Sequence, residues 1–406
     1  VKDWKIIRQM SDLKIFPKKI SINGKRIIVR LDLNVPINNL KIDDDTRIKV
    51  IEPFINRLIE NKAKVVLVTH LGRPRGKVVP DLSLGPIFNY LKKKLNGKIY
   101  FYKDKIDNAA IQASNKLKPG EVLLIENIRF FKQEEDDEEV FAKNLSKLGD
   151  IFINEAFSCS HRKQASIHKI TKFIESYGGP VLEKEIQSIN LITKNKKEPV
   201  TCIIGGSKIS TKINILSSLS EKSENLVIVG AMANNFLKFK GINIGASLIE
   251  KGAENNVKNI YSTAEKNKCK IIIPLDCNTS TSLNGNPLYK SLQDISSKDI
   301  ILDIGKKTID LINKTIDNSN TVFWNGPAGY YENKNFSKGS LCIAKKISEN
   351  TKSKSLISIV GGGDTIAAIK NTGLENSFTH LSTAGGAFLE SLEGKELPGI
   401  KVLKKN

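Results

Sequence analysis

Leu356–Lys370 reads LISIVGGGDTIAAIK. An apolar, largely β-branched run (356–360) stops at three glycines (361–363), and apolar spacing then resumes at a helical period. The change of side-chain period marks a strand, a tight turn and a helix. Glycines lack a Cβ, so another group can come close to the backbone. The start of the helix should attract an anion, yet the acid Asp364 stands there, followed by Thr365. The plainest explanation is an N-cap, a position that aspartate favours.

The same unit repeats outward from this stretch. RIIVRL, KVVLVT, EVLLIE and DIFIN fill the first half, and VTCII, NLVIV, KIIIPL, DIILDI, NTVFW and SLISIV fill the second. Each is followed by a polar or glycine-rich break and a helical pattern. Strands alternating with helices define an α/β fold with parallel sheets covered on both faces. In such sheets a ligand sits beyond the carboxyl ends of the strands. The residues just after each strand are therefore the candidates.

In the first half those residues are Asp32, Asn34, His70, Arg73, Asn127, Arg129, His161 and Arg162, with Arg47 opening a helix after a DDDT turn. Four strand ends bring cations to one crevice, and arginine suits bidentate recognition of carboxylate or phosphate. The second half supplies glycines instead, in GGSKISTKI, GAMANNF, NGPAGYYE, GGGDT and STAGGAFLE, with Lys208 and Lys212 in the first of these. Backbone N–H groups at such turns can hold phosphates. The GxGxxG and Walker A patterns are both absent. The division is an anionic substrate on one half and a nucleotide on the other, joined through YGGPVLEKEIQSINLITKN, a hinge followed by a helix.

A chain of 406 residues is long enough for about two or three domains with full cores. Its apolar runs fall far short of the ~20 residues of a membrane span, and VKDWKIIRQM carries charges where a leader's apolar segment would lie. Five scattered cysteines, at 159, 202, 269, 277 and 342, fit a reducing cytoplasm without disulfides or a zinc site. The formal charge of +21 has three readings: nucleic-acid binding, a phosphorylated substrate, or lysine-rich composition alone. The lysines are dispersed with no interleaved aromatics, which favours composition. The acidic run EEDDEEVFAKNL at 134–145 reads as a solvated first helical turn.

Taken in order, RLDLNVP, DDTRI, THLGRP, ENIRF, His161–Arg162, GGSKISTKI, WNGPAGYYE, GGGDT and STAGGAFLE closely resemble the phosphoglycerate kinase family over nearly the whole chain. The resemblance implies two Rossmann-like domains with parallel sheets, joined by an interdomain helix and hinge. It implies a monomeric cytoplasmic enzyme that transfers the acyl phosphate of 1,3-bisphosphoglycerate to Mg-ADP. Residues 10–178 would bind phosphoglycerate, with 390–406 packing back on them. Residues 179–389 would bind nucleotide, opening with a helix over about 180–196. Asp32, Asn34, Arg47, His70, Arg73, Arg129 and Arg162 would contact phosphoglycerate. Lys208, Lys212, Asn325, Glu332, Gly362, Gly363, Asp364 and Thr365 would meet the nucleotide, Glu332 at the ribose. Arg47 and Lys208 would be catalytic, and Asp364 would face the magnesium that the nucleotide carries.

The chain departs from the family's pattern in places. EAFSCSHRKQAS replaces the usual DAFGTAHRAHAS, changing positions 155, 158–160, 163 and 164; Ala231, Lys306 and Ala384 are further departures. Residues 1–9 precede the family's usual start near Met10 and are expected to be dispensable. A nicotinamide-dependent dehydrogenase would share the α/β pattern but lacks its glycine motif here. A basic nucleic-acid-binding protein is the non-enzymatic alternative.

Overall fold

The computed structural model describes residues 12–17, 19–370 and 372–405. The expectation for residues 1–9 falls outside them. Two compact units are present, Val1–Gln187 with Glu396–Asn406, and Ser188–Lys395. The helix Pro180–Thr193 carries the boundary between them.

The first unit is built on a six-stranded sheet in the order Ile99–Tyr102, Val122–Ile125, Lys64–Val68, Arg26–Arg30, Ile151–Asn154, Glu175–Gly178. Every pairing is parallel. The strands alternate strictly between two cores. Ile27, Val29, Val65, Leu67, Leu124 and Ile153 face one, together with the apolar stripe of the helix Thr46–Glu60. Ile28, Val66, Val68, Leu123, Ile125 and Phe152 face the other. Both faces are covered, so the central strands are largely apolar and read as continuous runs. A truncation such as Ile28→Ala should cost about 2–5 kcal/mol.

The second unit repeats the plan with Lys270–Ile272, Asn225–Ile228, Val200–Ile204, Thr321–Asn325, Ile357–Gly361 and His380–Ser382, again all parallel. Trp324, Ile203, Val227 and Val360 pack on one face against Ile343 and Ile347 of the helix Lys338–Ser353. On the other face Phe323 stacks on Phe388 at 5.9 Å between ring centroids.

The structure differs from the sequence reading at several points. DIILDI does not join the parallel sheet: Ile300–Ile304 pairs antiparallel with Asp276–Ser280 in a separate three-stranded sheet. Three edge strands, Ile99–Tyr102, Glu175–Gly178 and His380–Ser382, were not picked out from the sequence: the first two keep side chains partly in solvent, and the third is three residues long with polar side chains at both ends. The acidic run is not uniformly solvated either. Glu134 is fully buried and accepts bonds from Ser166 N at 2.8 Å and Ser166 Oγ at 2.6 Å.

Candidate active site

In the first unit the carboxyl ends of four parallel strands bring one cluster together. Asp32 follows Arg26–Arg30, His70 follows Lys64–Val68, Arg129 follows Val122–Ile125, and Ser158 and Cys159 follow Ile151–Asn154. Asp32 is the hub. Its Oδ2 accepts from Arg47 Nη1 and from Ser158 Oγ, and its Oδ1 accepts from Asn34 N at 3.1 Å. Asn34 Oδ1 in turn takes the Gly72 N–H at 2.8 Å, and Arg129 Nη1 donates to the Gly72 carbonyl at 2.9 Å. Arg162 Nε donates to His161 Nε2 at 3.1 Å. Its charge lies near enough to Arg129 to help lower that guanidinium's pKa, although burial is the larger cause.

Two of the expected residues behave differently from the cation-rich edge anticipated above. Arg73 is exposed and takes part in none of these contacts. His70 is buried, and its pKa is held well below the ordinary 6.5, first by burial and then by the charges of Arg30, Arg129 and Arg47. It is therefore a neutral ring at physiological pH and not a cation.

Sequence reasoning also missed Arg30. This side chain is fully buried and donates through Nε to Ser166 Oγ at 2.7 Å. The available signal was the position itself. A charged residue in a strand whose two faces are both buried cannot reach water and must find partners inside.

In the second unit the glycine turns converge on a cleft of about 240 Å³ lined by Ser207, Lys208, Lys212, Asn325, Gly363 and Asp364. Lys212 Nζ donates to the Gly205 carbonyl at 2.7 Å and to Asn325 Oδ1 at 2.7 Å. Burial pulls its pKa down from 10.5 to about 8, with the Asp364 charge opposing. Asn325 is fixed from behind by donation to the Gly361 carbonyl at 2.8 Å. Thr365 Oγ1 bridges the two turns, accepting from Gly326 N at 2.6 Å and donating to the Gly361 carbonyl at 2.9 Å.

Asp364 is not the helix cap. Gly362 holds that position with φ 95°, a left-handed backbone that favours glycine, and Asp364 lies exposed in the first turn. A Cβ on Gly362 would meet Asn325 Nδ2 at 2.7 Å, whereas one on Gly363 would meet nothing within 4 Å. Packing therefore accounts for the first glycine, and the second leaves open space in front of the turn.

A larger cavity of about 340 Å³ shares Gly206, Ser207, Pro327 and Asp364 with this cleft. Its wall is mainly apolar, including Leu248, Leu283, Leu302 and Tyr331, and the exposed Glu332 also lines it. Ala231 lines the same wall. Lys306 begins the helix Lys306–Asp317, where a first-turn residue needs no bonded N–H, and pairs with Asp310 at 2.7 Å. Lys163 is exposed, and Gln164 and Ala384 are buried.

A family model described as phosphoglycerate kinase matches residues 18–395. The phosphoglycerate kinase of Wolbachia pipientis wMel is 41% identical over 386 residues, covering 95% of this chain and 97% of its own length. That of Zymomonas mobilis is 39% identical over 385 residues, covering 94% and 97%. The solved structure of phosphoglycerate kinase from Coxiella burnetii superposes with a TM-score of 0.87 at 36% identity, covering 96% of this chain and 98% of its own. With the motifs in family order, the sheets in place and the similarity running through both units, this chain belongs to the phosphoglycerate kinase family.

Proposed function

We propose that this chain carries out the family's reaction, the reversible transfer of the acyl phosphate of 1,3-bisphosphoglycerate to Mg-ADP, giving 3-phosphoglycerate and ATP. The first unit holds phosphoglycerate through Asp32, Asn34, Arg47, His70, Arg73, Arg129 and Arg162. The second holds the nucleotide through Lys208, Lys212, Asn325, Glu332 and the turn Gly362–Thr365. The observation that carries this reading is the pair of adjoining cavities in the second unit. One is a glycine-walled cleft with Lys212 and Asp364, and the other is an apolar hollow sharing one wall with it. A nucleoside diphosphate has those same two halves, a polar phosphate chain and a flat base.

Magnesium fits this site only as a partner of phosphates. Among the described residues no three His, Cys, Asp or Glu side chains gather as a metal-holding group. A single carboxylate plus nucleotide phosphates is an ordinary magnesium environment, and Asp364 supplies that carboxylate. When bound, the ion neutralises charge on the phosphate oxygens.

The attacking oxygen of ADP and the departing carboxylate oxygen are both anionic, so no general base is required. Catalysis then rests on positioning and charge. Arg47 and Lys208 neutralise the equatorial oxygens of the group in flight, and closure of the two units excludes water and spares the acyl phosphate from hydrolysis. Arg47 must first leave Asp32, and the Ser158 hydroxyl keeps that carboxylate bonded when it does. We further assign the chain to the cytoplasm as a monomer; its free cysteines fit a reducing compartment.

The test is coupled ATP turnover with 3-phosphoglycerate, with and without magnesium. Turnover that requires both supports the assignment. ATP consumption indifferent to 3-phosphoglycerate would overturn it.

A further inference from the structure

The two ring nitrogens of His70 face different neighbours. Nδ1 lies 3.5 Å from Arg30 Nη1 and 3.9 Å from Cys159 Sγ. Nε2 looks toward Asp32 Oδ1 at 3.9 Å, too far for a direct hydrogen bond. A guanidinium has no lone pair to offer and can only donate. Nδ1 must therefore accept, and the single proton of a neutral ring belongs on Nε2.

We propose that Arg30 is a positioning residue: from beneath the pocket it fixes His70 as the neutral Nε2–H tautomer, so that His70 meets phosphoglycerate as a directed hydrogen-bond donor. This rests on the placing of His70 in the phosphoglycerate site.

Arg30 is built to hold one orientation. It is fully buried, with Nε on Ser166 Oγ at 2.7 Å, Nη1 on the Leu31 carbonyl, and Nη2 at 3.9 Å from Glu134 Oε1. The Ser166 hydroxyl accepts from Arg30 and donates to Glu134 Oε1 at 2.6 Å. The guanidinium is thereby tied through both Nε and Nη1, a two-point hold that a lysine's single ammonium could not reproduce.

The other groups around the ring come from separate elements: Asp32 from the turn after Arg26–Arg30, Arg47 from the helix Thr46–Glu60, Arg129 from the turn after Val122–Ile125, and Cys159. Asp32 favours an imidazolium, while Arg30, Arg47 and Arg129 oppose it, as does burial. Burial pushes the Cys159 thiol up, so it stays protonated and can be a second donor to Nδ1.

The tautomer can be read directly on the full chain with 15N-labelled histidine, by long-range proton–nitrogen spectra from about pH 5.5 to about 8. His70→Gln identifies the signal. The wild type should show the Nε2–H pattern with no titration across that range. Arg30→Met should bring the ring's titration into the range. It should also make KM for 3-phosphoglycerate change several-fold with pH, while KM for ATP keeps the pH dependence it has in the wild type. Should that variant fail to fold, Ser166→Ala removes only the anchor of Arg30 Nε and should give a smaller shift of the same kind. An Nδ1–H pattern or an in-range titration in the wild type would overturn the proposal. So would spectra and a pH profile unchanged in a folded Arg30→Met protein. The spectra need no turnover, so a failed coupled assay would count against the functional reading and leave the tautomer result standing.

Discussion

Asp364 and Lys212 share one cleft and make opposite demands on it. Since Gly362 and not Asp364 caps the following helix, the change Asp364→Asn should leave the unfolding free energy within about half a kcal/mol of wild type, as other exposed sites do. If Asp364 meets the nucleotide's magnesium, the same variant should need several-fold more magnesium to reach half-maximal rate. A magnesium titration of initial rate decides this, and an unchanged curve would remove Asp364 from the metal.

Lys212 gives a pH test. Its folded pKa of about 8 lies below the ordinary 10.5, so its charge is lost as pH rises through about 8. ADP binding by calorimetry should therefore weaken several-fold between about pH 7 and about pH 9, by loss of a charge-assisted contact. Lys212→Met should flatten that dependence, and an equally steep slope in the variant would exclude Lys212 as its source.

The helix Pro180–Thr193 starts on a buried acid rather than on a local cap. Glu155 Oε2 accepts from Val181 N at 2.9 Å and Leu182 N at 3.1 Å, while its Oε1 is buried with no hydrogen-bond partner. Burial raises the Glu155 pKa from 4.5 to about 8. The folded state thus holds a proton that the unfolded chain releases above about 4.5. The stabilisation is present below that value and is lost as pH rises toward about 8. Glu155→Gln mimics the protonated form, so thermal melts should show it gaining on wild type by several degrees from about pH 5 to about pH 8. Parallel melting curves across that range would show that Glu155 titrates normally.

The two proposed ligand sites draw on residues of different compact units, so their binding should separate. Arg162→Ala should weaken 3-phosphoglycerate binding by roughly 1.5–3 kcal/mol, the worth of a bond to a charged group. ADP affinity should be nearly unchanged. Calorimetry with each ligand tests both halves, and unchanged phosphoglycerate affinity would take Arg162 out of the pocket. The formal charge of +21 is a property of the whole surface, and at physiological salt its reach is only about 8 Å.

The α/β class and the central strands of both parallel sheets were legible from sequence, because strands buried on two faces must be largely apolar. The edge that gathers the candidate residues followed from parallel strand direction, which brought Asp32, His70 and Arg129 together although they lie far apart in the chain. Three edge strands escaped notice because they are short or partly polar, and Ile300–Ile304 was placed in the wrong sheet because an apolar run does not say which sheet it joins. Tertiary structure alone decided the states of the charged groups. Glu134 is an acid in an acidic run, yet it folds inward to Ser166. His70 looks like a cation in sequence and is neutral once buried beside Arg30. Charge state depends on desolvation and on neighbours brought in from distant strands, and no local pattern in the chain encodes either.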